Sequence, residues 1–553
     1  MGSLSKELST VLTKSEQLKM VSVEEAISYL FSVWKSGINE PEVLYKIAEN
    51  YYLINDNNKA VQFCELALKF DPSNVKYSYM LGVSLLALGS KEAARQAFDL
   101  PGKGRSYLAD IELAKLTIDD QEAGFGWPYA QSALSKNQTI PTLITAIEHC
   151  IDSLKKPGAF RTGNIQVLQR YLKKLKDADT ISYQKLNAEF LFKIGEFSES
   201  VKFFKMYFEA CDTTKPTEYY NYSHALLSSG AYQEGLSELY QTSCVNNDQG
   251  RNDRFAESKG LKKIQPSNLK EIKNQTVVVV SEQGMGDQLW GLGYVDAFAS
   301  RYECSVELWL PPKLAIKVRG DFNDSVEVFS LPETDLKDHR DKQWYTSTMF
   351  LFYLLKSDDR EFSCDNRTLM KPQAFNVSKL RSKYVTAKSK AIVGLSWRSE
   401  GSPFSATKKI PYNFFSFLKE IPDLQCISCQ YHATDDDQNG FAQQNISLQI
   451  DDEIDNYNSM LDAFDQVAAC DFIITNAGVV AHIAGALGKP AVVLVNIPSV
   501  WYWNSPDANL WYPTVSVISK TSFEPWENLT SKVEEFVFEQ LAQLKMGGMD
   551  SSS

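Results

Sequence analysis

The sequence predicts a multidomain chain, an all-α repeat region in the first half followed by two Rossmann-like α/β domains. Three observations carry this expectation. The 553 residues exceed what one hydrophobic core can organise. The first half repeats small and apolar residues at helical spacing, whereas the second half alternates short β-branched runs with helical stretches. The composition, 44% hydrophobic and 23% charged, excludes a largely disordered or collagen-like polymer. No uninterrupted apolar run is long enough for a membrane span. A net charge of -12 argues against a broad grip on nucleic acid or an anionic membrane, while leaving room for a local phosphate pocket. The 9 cysteines, scattered and odd in number, point to a reducing compartment. The polar N-terminus is not a signal peptide, and Lys6 stands where a myristoylation signal needs Ser or Thr. The Asn-x-Ser/Thr triplets at Asn137, Asn274 and Asn528 are then chance matches, and a cytoplasmic location is expected.

From Pro41 to Pro72, Leu44, Ile47, Ala48, Tyr51, Ala60, Cys64 and Ala67 fall at tetratricopeptide positions. One 34-residue step later, Leu81, Gly82, Leu85, Ala94 and Phe98 repeat them, with Ser78 standing where a large residue is usual. Ala48 and Gly82 are small because two helices must approach closely there. A second pair offers Ala188, Leu191, Gly195, Ser200, Phe204 and Tyr207, then Tyr219, Tyr222, Ser223, Leu226, Gly230, Gly235 and Leu239. Gly89, Gly195 and Gly230 mark the turns inside helical hairpins, where a left-handed residue ends a helix. The repeat region is placed at 1–245 and a polar linker or capping segment at 246–274.

Val277–Val280 is a β-branched run without alternation, as suits a strand buried on both faces. Gly284 and Gly286 follow, then a helical pattern through Leu289 and Phe298, the opening of a Rossmann-like unit. Strands are expected at 306–310 and 325–332 in a domain spanning 275–388. A second domain, 389–540, takes strands at 392–395, 424–429, 472–475 and 491–495, with helices in YNFFSFLKEI and NYNSMLDAFDQVAA. Residues 541–553 read as a disordered tail.

Three constellations carry chemistry. Asp287, in the turn GMGDQ, is placed to accept a proton from a hydroxyl, or simply to cap its helix. Asn476, Gly478 and His482 lie where backbone amides of a helix start can hold a phosphate; His482 also fits a packed, satisfied histidine. Arg398, Lys408 and Lys409 flank a polar loop after a buried strand and suit a diphosphate, or equally a solvated surface loop. Cys426 and Cys429 form CxxC within a strand, so their side chains point to opposite faces and a redox or zinc role is disfavoured. The acidic run 435–437 reads as a solvated loop, and no metal site is expected. No GxSxG elbow, Walker loop or GxGxxG is present.

The ordered blocks EQGMGDQ, GLSWRS, KKIP, CISCQ, CDFIITN, AHIAGALGKPAVVLV and WYWN…LWYP resemble the tetratricopeptide-repeat glycosyltransferases of the heptosyltransferase-like group, glycosyltransferase family 9 in the broad sense. The resemblance runs from Gln275 onward. It implies the GT-B fold, two Rossmann-like domains with the acceptor on the first and the nucleotide-sugar on the second, and no metal or other cofactor. It also implies Asp287 as general base, Lys408 on the donor diphosphate, and His482 with its preceding turn at the donor-binding helix start. Gly284, Gly286, Gln288, Ser396, Arg398, Lys409, Gln430, Asn476 and Gly478 complete the expected donor site. One departure stands out: family members commonly carry Asp-Thr ahead of the histidine, where this chain has Ala477 and Gly478. The resulting expectation is an inverting, metal-independent glycosyltransferase using a nucleotide-sugar and a protein or peptide acceptor held by the repeats. The rival is a non-catalytic protein-interaction scaffold with a degenerate transferase half.

Overall fold

The structure is a computed structural model. It describes residues 2–99, 106–119, 126–154, 162–211, 216–245, 251–331, 343–356, 367–386, 391–399, 405–504, 511–522 and 524–550. It divides into two compact units, Met1–Leu186 and Asn187–Ser553.

Among its described residues the first unit consists of helices and the turns between them. It comprises α1 (Gly2–Lys19), α2 (Val23–Lys35), α3 (Pro41–Leu53), α4 (Asn57–Phe70), α5 (Val75–Ala87), α6 (Lys91–Phe98), α7 (Tyr107–Asp119), α8 (Gly126–Lys136), α9 (Ile140–Ser153), α10 (Thr162–Ala178) and the start of α11 (Thr180–Ile194). Neighbouring helices pack in sequence order. Leu44, Ile47, Ala48, Cys64, Ala67 and Leu81 lie in one buried cluster. The 34-residue period also reaches back into α1 and α2: the residues before α2, α4 and α6 are Ser22, Asp56 and Ser90. The turn residues Met20, Ile54 and Leu88, equally spaced, are all exposed. At the irregular position Ser78 the neighbouring Tyr77 supplies the buried volume, its hydroxyl donating to Glu42 Oε2 at 2.8 Å. Between α7 and α8, Lys136 and Ser132 both donate to the fully buried carboxylate of Asp110, so this acid is paired, as a buried charge must be.

The second unit opens with α12 (Phe197–Ala210), α13 (Pro216–Ser228), α14 (Tyr232–Val245) and α15 (Arg251–Ser258). Gly89, Gly195 and Gly230 all have positive φ, as the hairpin turns require. Then come β1 (Lys262–Lys263), β2 (Thr276–Val280), α16 (Met285–Leu292), α17 (Val295–Tyr302), β3 (Ser305–Leu310), α18 (Pro312–Val318), β4 (Val326–Ser330), β5 (Trp344–Ser347), α19 (Leu351–Lys356) and α20 (Ala374–Tyr384). The five strands pair in the order β1-β5-β2-β3-β4, all parallel. A second parallel sheet follows, built from β6 (Ala391–Ser396), β7 (Leu424–Ser428), β8 (Leu448–Gln449), β9 (Phe472–Asn476), β10 (Ala491–Ile497) and β11 (Val515–Thr521). Its order is β11-β10-β9-β6-β7-β8. Its helices are α21 (Asp435–Ala442), α22 (Met460–Ala469), α23 (Val479–Ala486), α24 (Trp501–Asn504) and α25 (Thr530–Asp550).

Each β-branched run read as a doubly buried strand is one, and β2 is buried along Val277–Val280. Four strands carried no such signal. β1, β5 and β8 are only two to four residues long, and β11, at a sheet edge, is only partly buried and mixes polar with apolar residues. The segment YNFFSFLKEI winds as a 3-10 helix over Tyr412–Glu420. Within 246–274, β1 joins the first sheet as its edge strand, so this stretch is more than a linker. At the other end α25 continues to Asp550, into the stretch expected to be disordered. α20, on the first domain by sequence, packs against α22, and its Arg381 pairs with Asp471 at 2.6 Å.

A Cβ on Gly82 would lie 2.3 Å from the Phe98 ring. Gly82→Ala therefore trades about 1 kcal/mol of helix propensity for about 1–3 kcal/mol of overpacking. The expected outcome is a net loss, read as a lower midpoint in chemical denaturation of the chain.

Candidate functional site

The turn after β2 fixes the first part of the site. Gln283 adopts φ 67, Gly284 takes the cap position of α16, and Asp287 falls at its third residue. There the carboxylate reaches back: Oδ2 accepts the Gly284 N–H at 3.0 Å. Its other oxygen, Oδ1, accepts from the hydroxyl of Tyr502 at 2.6 Å. Burial pushes the Asp287 carboxyl above the ordinary carboxylate range, against the pull of Tyr502, the Gly284 amide and Lys408. Gln288 is buried beside it, its amide donating to Gln283 O at 3.1 Å.

Gly286 has a different job. A Cβ there would stand 2.6 Å from His482 Cδ2, so the glycine lets α16 and α23 touch. His482 is 3% exposed, with its Nδ1 3.0 Å from the Tyr512 hydroxyl and the rings of Tyr502, Trp503 and Tyr512 around it. Burial, with Arg367 and Lys408 nearby, pushes its pKa down to about 3, so the imidazole is neutral.

Gly478 caps α23 and Asn476 closes β9. The Asn476 amide donates to Ser399 Oγ at 3.3 Å and Lys408 O at 3.2 Å, holding the loop that carries Lys408 against the strand end. Its Oδ1 is buried without a partner and lies 2.8 Å from where a Cβ on Gly478 would be. Lys408 is partly buried, and burial lowers its pKa although Asp287 opposes the shift.

The remaining candidates lie elsewhere in this sheet's rim. Gln430 Oε1 accepts from Ser396 Oγ and from the Trp397 and Arg398 backbone amides at 3.0–3.2 Å, so Ser396 and Gln430 staple β6 to the end of β7. The Arg398 guanidinium is 2.6 Å from Asp437 Oδ1, the same oxygen that takes the Trp397 indole and Tyr412 hydroxyl. Burial alone would raise the Asp437 pKa, yet Tyr412, Thr434 and Arg398 together hold it low. The run 435–437 is thus the first turn of α21, capped by Thr434, not a solvated loop. Lys409 is exposed, its ammonium 5.9 Å from the Tyr412 ring centroid. Cys426 and Cys429 enter different buried clusters, on opposite faces, and Cys429 Sγ lies 4.0 Å from Cys470 Sγ. Among the described residues no group of three His, Cys, Asp or Glu is set to hold a metal ion.

Residue-by-residue reading missed Tyr502, Trp503, Tyr512 and Arg367. Arg367 stacks on Tyr294 and Tyr512 at 4.5 and 4.6 Å and donates to Trp290 O at 2.7 Å. The available signal was aromatic density, WYWN and LWYP just past a buried strand.

The chain is similar in structure to a glycosyl transferase family 9 protein from Veillonella parvula, with 11% identity, TM-score 0.37, and 49% of this chain and 99% of that one covered. It is similar to the ADP-heptose lipopolysaccharide heptosyltransferase II of E. coli, at 14% identity and TM-score 0.37, over 49% of this chain and 100% of the other. The iron-containing dodecameric glycosyltransferase TibC from enterotoxigenic E. coli aligns at 14% identity and TM-score 0.30, over 44% and 63% of the two chains. No family model and no curated protein matches the sequence. Among the described residues no helix is long and apolar enough to cross a membrane.

The neutral His482 gives a pH prediction. The folded chain keeps it unprotonated down to about 3, whereas an unfolded histidine takes up its proton near pH ~6.5. Stability is therefore lost as the pH falls through that window, by up to about 1.4 kcal/mol per unit. In His482→Gln this part of the slope disappears, so the stability gap between variant and parent, from denaturation at pH 7 and pH 5, should narrow at pH 5.

Proposed function

We propose that the chain is an inverting, metal-independent glycosyltransferase that moves a sugar from a nucleotide-sugar to an acceptor hydroxyl. The observation that carries this reading is the placement of Asp287 and Lys408 beyond strand ends of the two parallel sheets, with Asp287 bonded across to Tyr502 of the second. The carboxylate follows the end of β2 and the lysine the loop after β6, so strand ends of two parallel sheets contribute one acid and one base that sense each other. Ligands of such sheets bind at the carboxyl ends of the strands.

In this reading Asp287 removes the acceptor proton as the new glycosidic bond forms. Its raised pKa makes it a better base than an exposed aspartate. Lys408 faces the leaving diphosphate together with the first amides of α23, and these fixed positive groups take the place of a metal ion. The buried, unpartnered Asn476 Oδ1 supplies an acceptor for a donor hydroxyl at the same helix start. Arg398, paired to Asp437, shapes the rim instead of neutralising phosphate. The acceptor is assigned to the protein class because helical repeat arrays present extended surfaces to peptides. The 34-residue period in the first unit supports a tetratricopeptide array.

Thermal unfolding against UDP, GDP, ADP, dTDP and CMP is the first test, and a selective stabilisation is expected. Asp287→Asn should then keep nucleotide binding within a few-fold while turnover falls by about 10²–10⁴. Lys408→Met should weaken the nucleotide diphosphate more than the nucleoside. No shift with any nucleotide would favour the scaffold reading.

A further inference from the structure

Tyr502 joins the two sheets at the carboxylate itself. Its hydroxyl bonds Asp287 Oδ1 at 2.6 Å across 215 positions of sequence. Asp287 stands in α16 after β2 of the first sheet, and Tyr502 in α24 after β10 of the second. The ring is fixed on several sides. It is parallel to the Trp290 indole at 5.9 Å, and meets Trp501 at 5.2 Å, Trp503 at 5.7 Å and His482 at 5.3 Å. A phenylalanine would make every one of these ring contacts, so packing does not account for the hydroxyl. A buried hydroxyl needs a partner, and here that partner is a carboxylate already held on its other oxygen by the Gly284 amide.

We infer that Tyr502 is the positioning residue of Asp287, supplied by the opposite sheet, so that the base is set in its working orientation only while the two sheets are held together. The inference rests on the reading of Asp287 as the base. Two hydrogen bonds, one to each oxygen, fix the carboxylate rotamer and leave its remaining lone pairs to the acceptor hydroxyl. Tyr502 keeps its own proton throughout: burial, then the Asp287 charge, push its phenol well above the ordinary range. The other titratable and charged groups around the pair are Lys408, the neutral His482, Tyr512 and Arg367. Of these, His482 and Arg367 do not change charge in the range where Asp287 titrates.

The test uses the full chain with 3-fluorotyrosine placed at 502 and the fluorine resonance followed from pH 4 to 8. A shift that follows one protonation above about 3.9, and is absent in Asp287→Asn, is the expected result. A resonance that does not move, or one that moves equally in Asp287→Asn, overturns the contact. Tyr502→Phe, which keeps the ring, supplies the functional arm with the nucleotide-sugar selected above. Turnover should fall about ten- to a hundredfold, and the acid limb of the pH–rate profile should move to higher pH because Asp287 has lost a donor that lowers its pKa. Nucleotide affinity should stay within twofold. Parent-like turnover with an unmoved acid limb overturns the positioning role. The fluorine arm needs neither donor nor acceptor. A parent chain without turnover therefore overturns the transferase reading and the role built on it, while the fluorine titration still decides the contact.

Discussion

The second unit depends on one close approach, that of α16 to α23 at Gly286 and His482. Any side chain at 286 would push into the imidazole. Because there is none, two helices from different sheets pack directly, and Asp287, one residue further on, is carried to the second sheet's Tyr502. The imidazole tolerates this position by staying neutral, with Tyr512 on one nitrogen and aromatic rings on its faces. A charged histidine would carry an uncompensated desolvation cost here. Glycine, histidine and the aromatic segments 501–504 and 511–512 are thus one packing solution.

Positive charge is distributed at this seam by what is already paired. The chain is acidic overall, and its strand-end loops offer Arg398, Lys408 and Lys409. Arg398 is bound to a buried carboxylate that also collects an indole and a phenol, so its charge is answered within the rim. Lys409 points to solvent beside Tyr412. That leaves Lys408, whose pKa is lowered by burial and whose backbone carbonyl is fixed by Asn476.

The legible parts of this fold were those with a local physical signature. Doubly buried strands announce themselves by β-branched runs, and Gly89, Gly195 and Gly230 by left-handed turns, which glycine enters most readily and which Asn55 fills one period before Gly89. Asp287 could be named because a turn, a helix start and a family resemblance coincide on it. Its partner could not. Tyr502 is 215 positions away, in a four-residue helix without periodicity, and its meaning lies wholly in tertiary contact. The same holds for Gln430 and Ser396, correctly placed at strand ends, whose polar atoms bond to each other and to backbone amides. Strand-end polarity marks the rim of a site, but which polar groups stay available is set by neighbours remote in sequence.

The boundary expected at residue 245 follows a change of period, and a change of period marks secondary structure, not compactness. The compact division falls at 186 and 187, so α12, α13 and α14 belong to the unit that holds the sheets. Their contacts show why. Ser228, at the end of α13, receives a hydrogen bond from Asn504 Nδ2 at 3.0 Å, and Tyr232, at the start of α14, packs on Trp501 and Trp511. Further along α14, the Tyr240 ring meets Phe350 edge-on, just before α19, and lies tilted against Tyr353 within α19. The α13–α14 hairpin therefore touches elements of both sheets. It also backs α24, the helix whose Tyr502 faces Asp287. Removing the helices up to 245 would strip the support from the segment that orients the carboxylate, so the repeat region's last hairpin is a structural part of the candidate site.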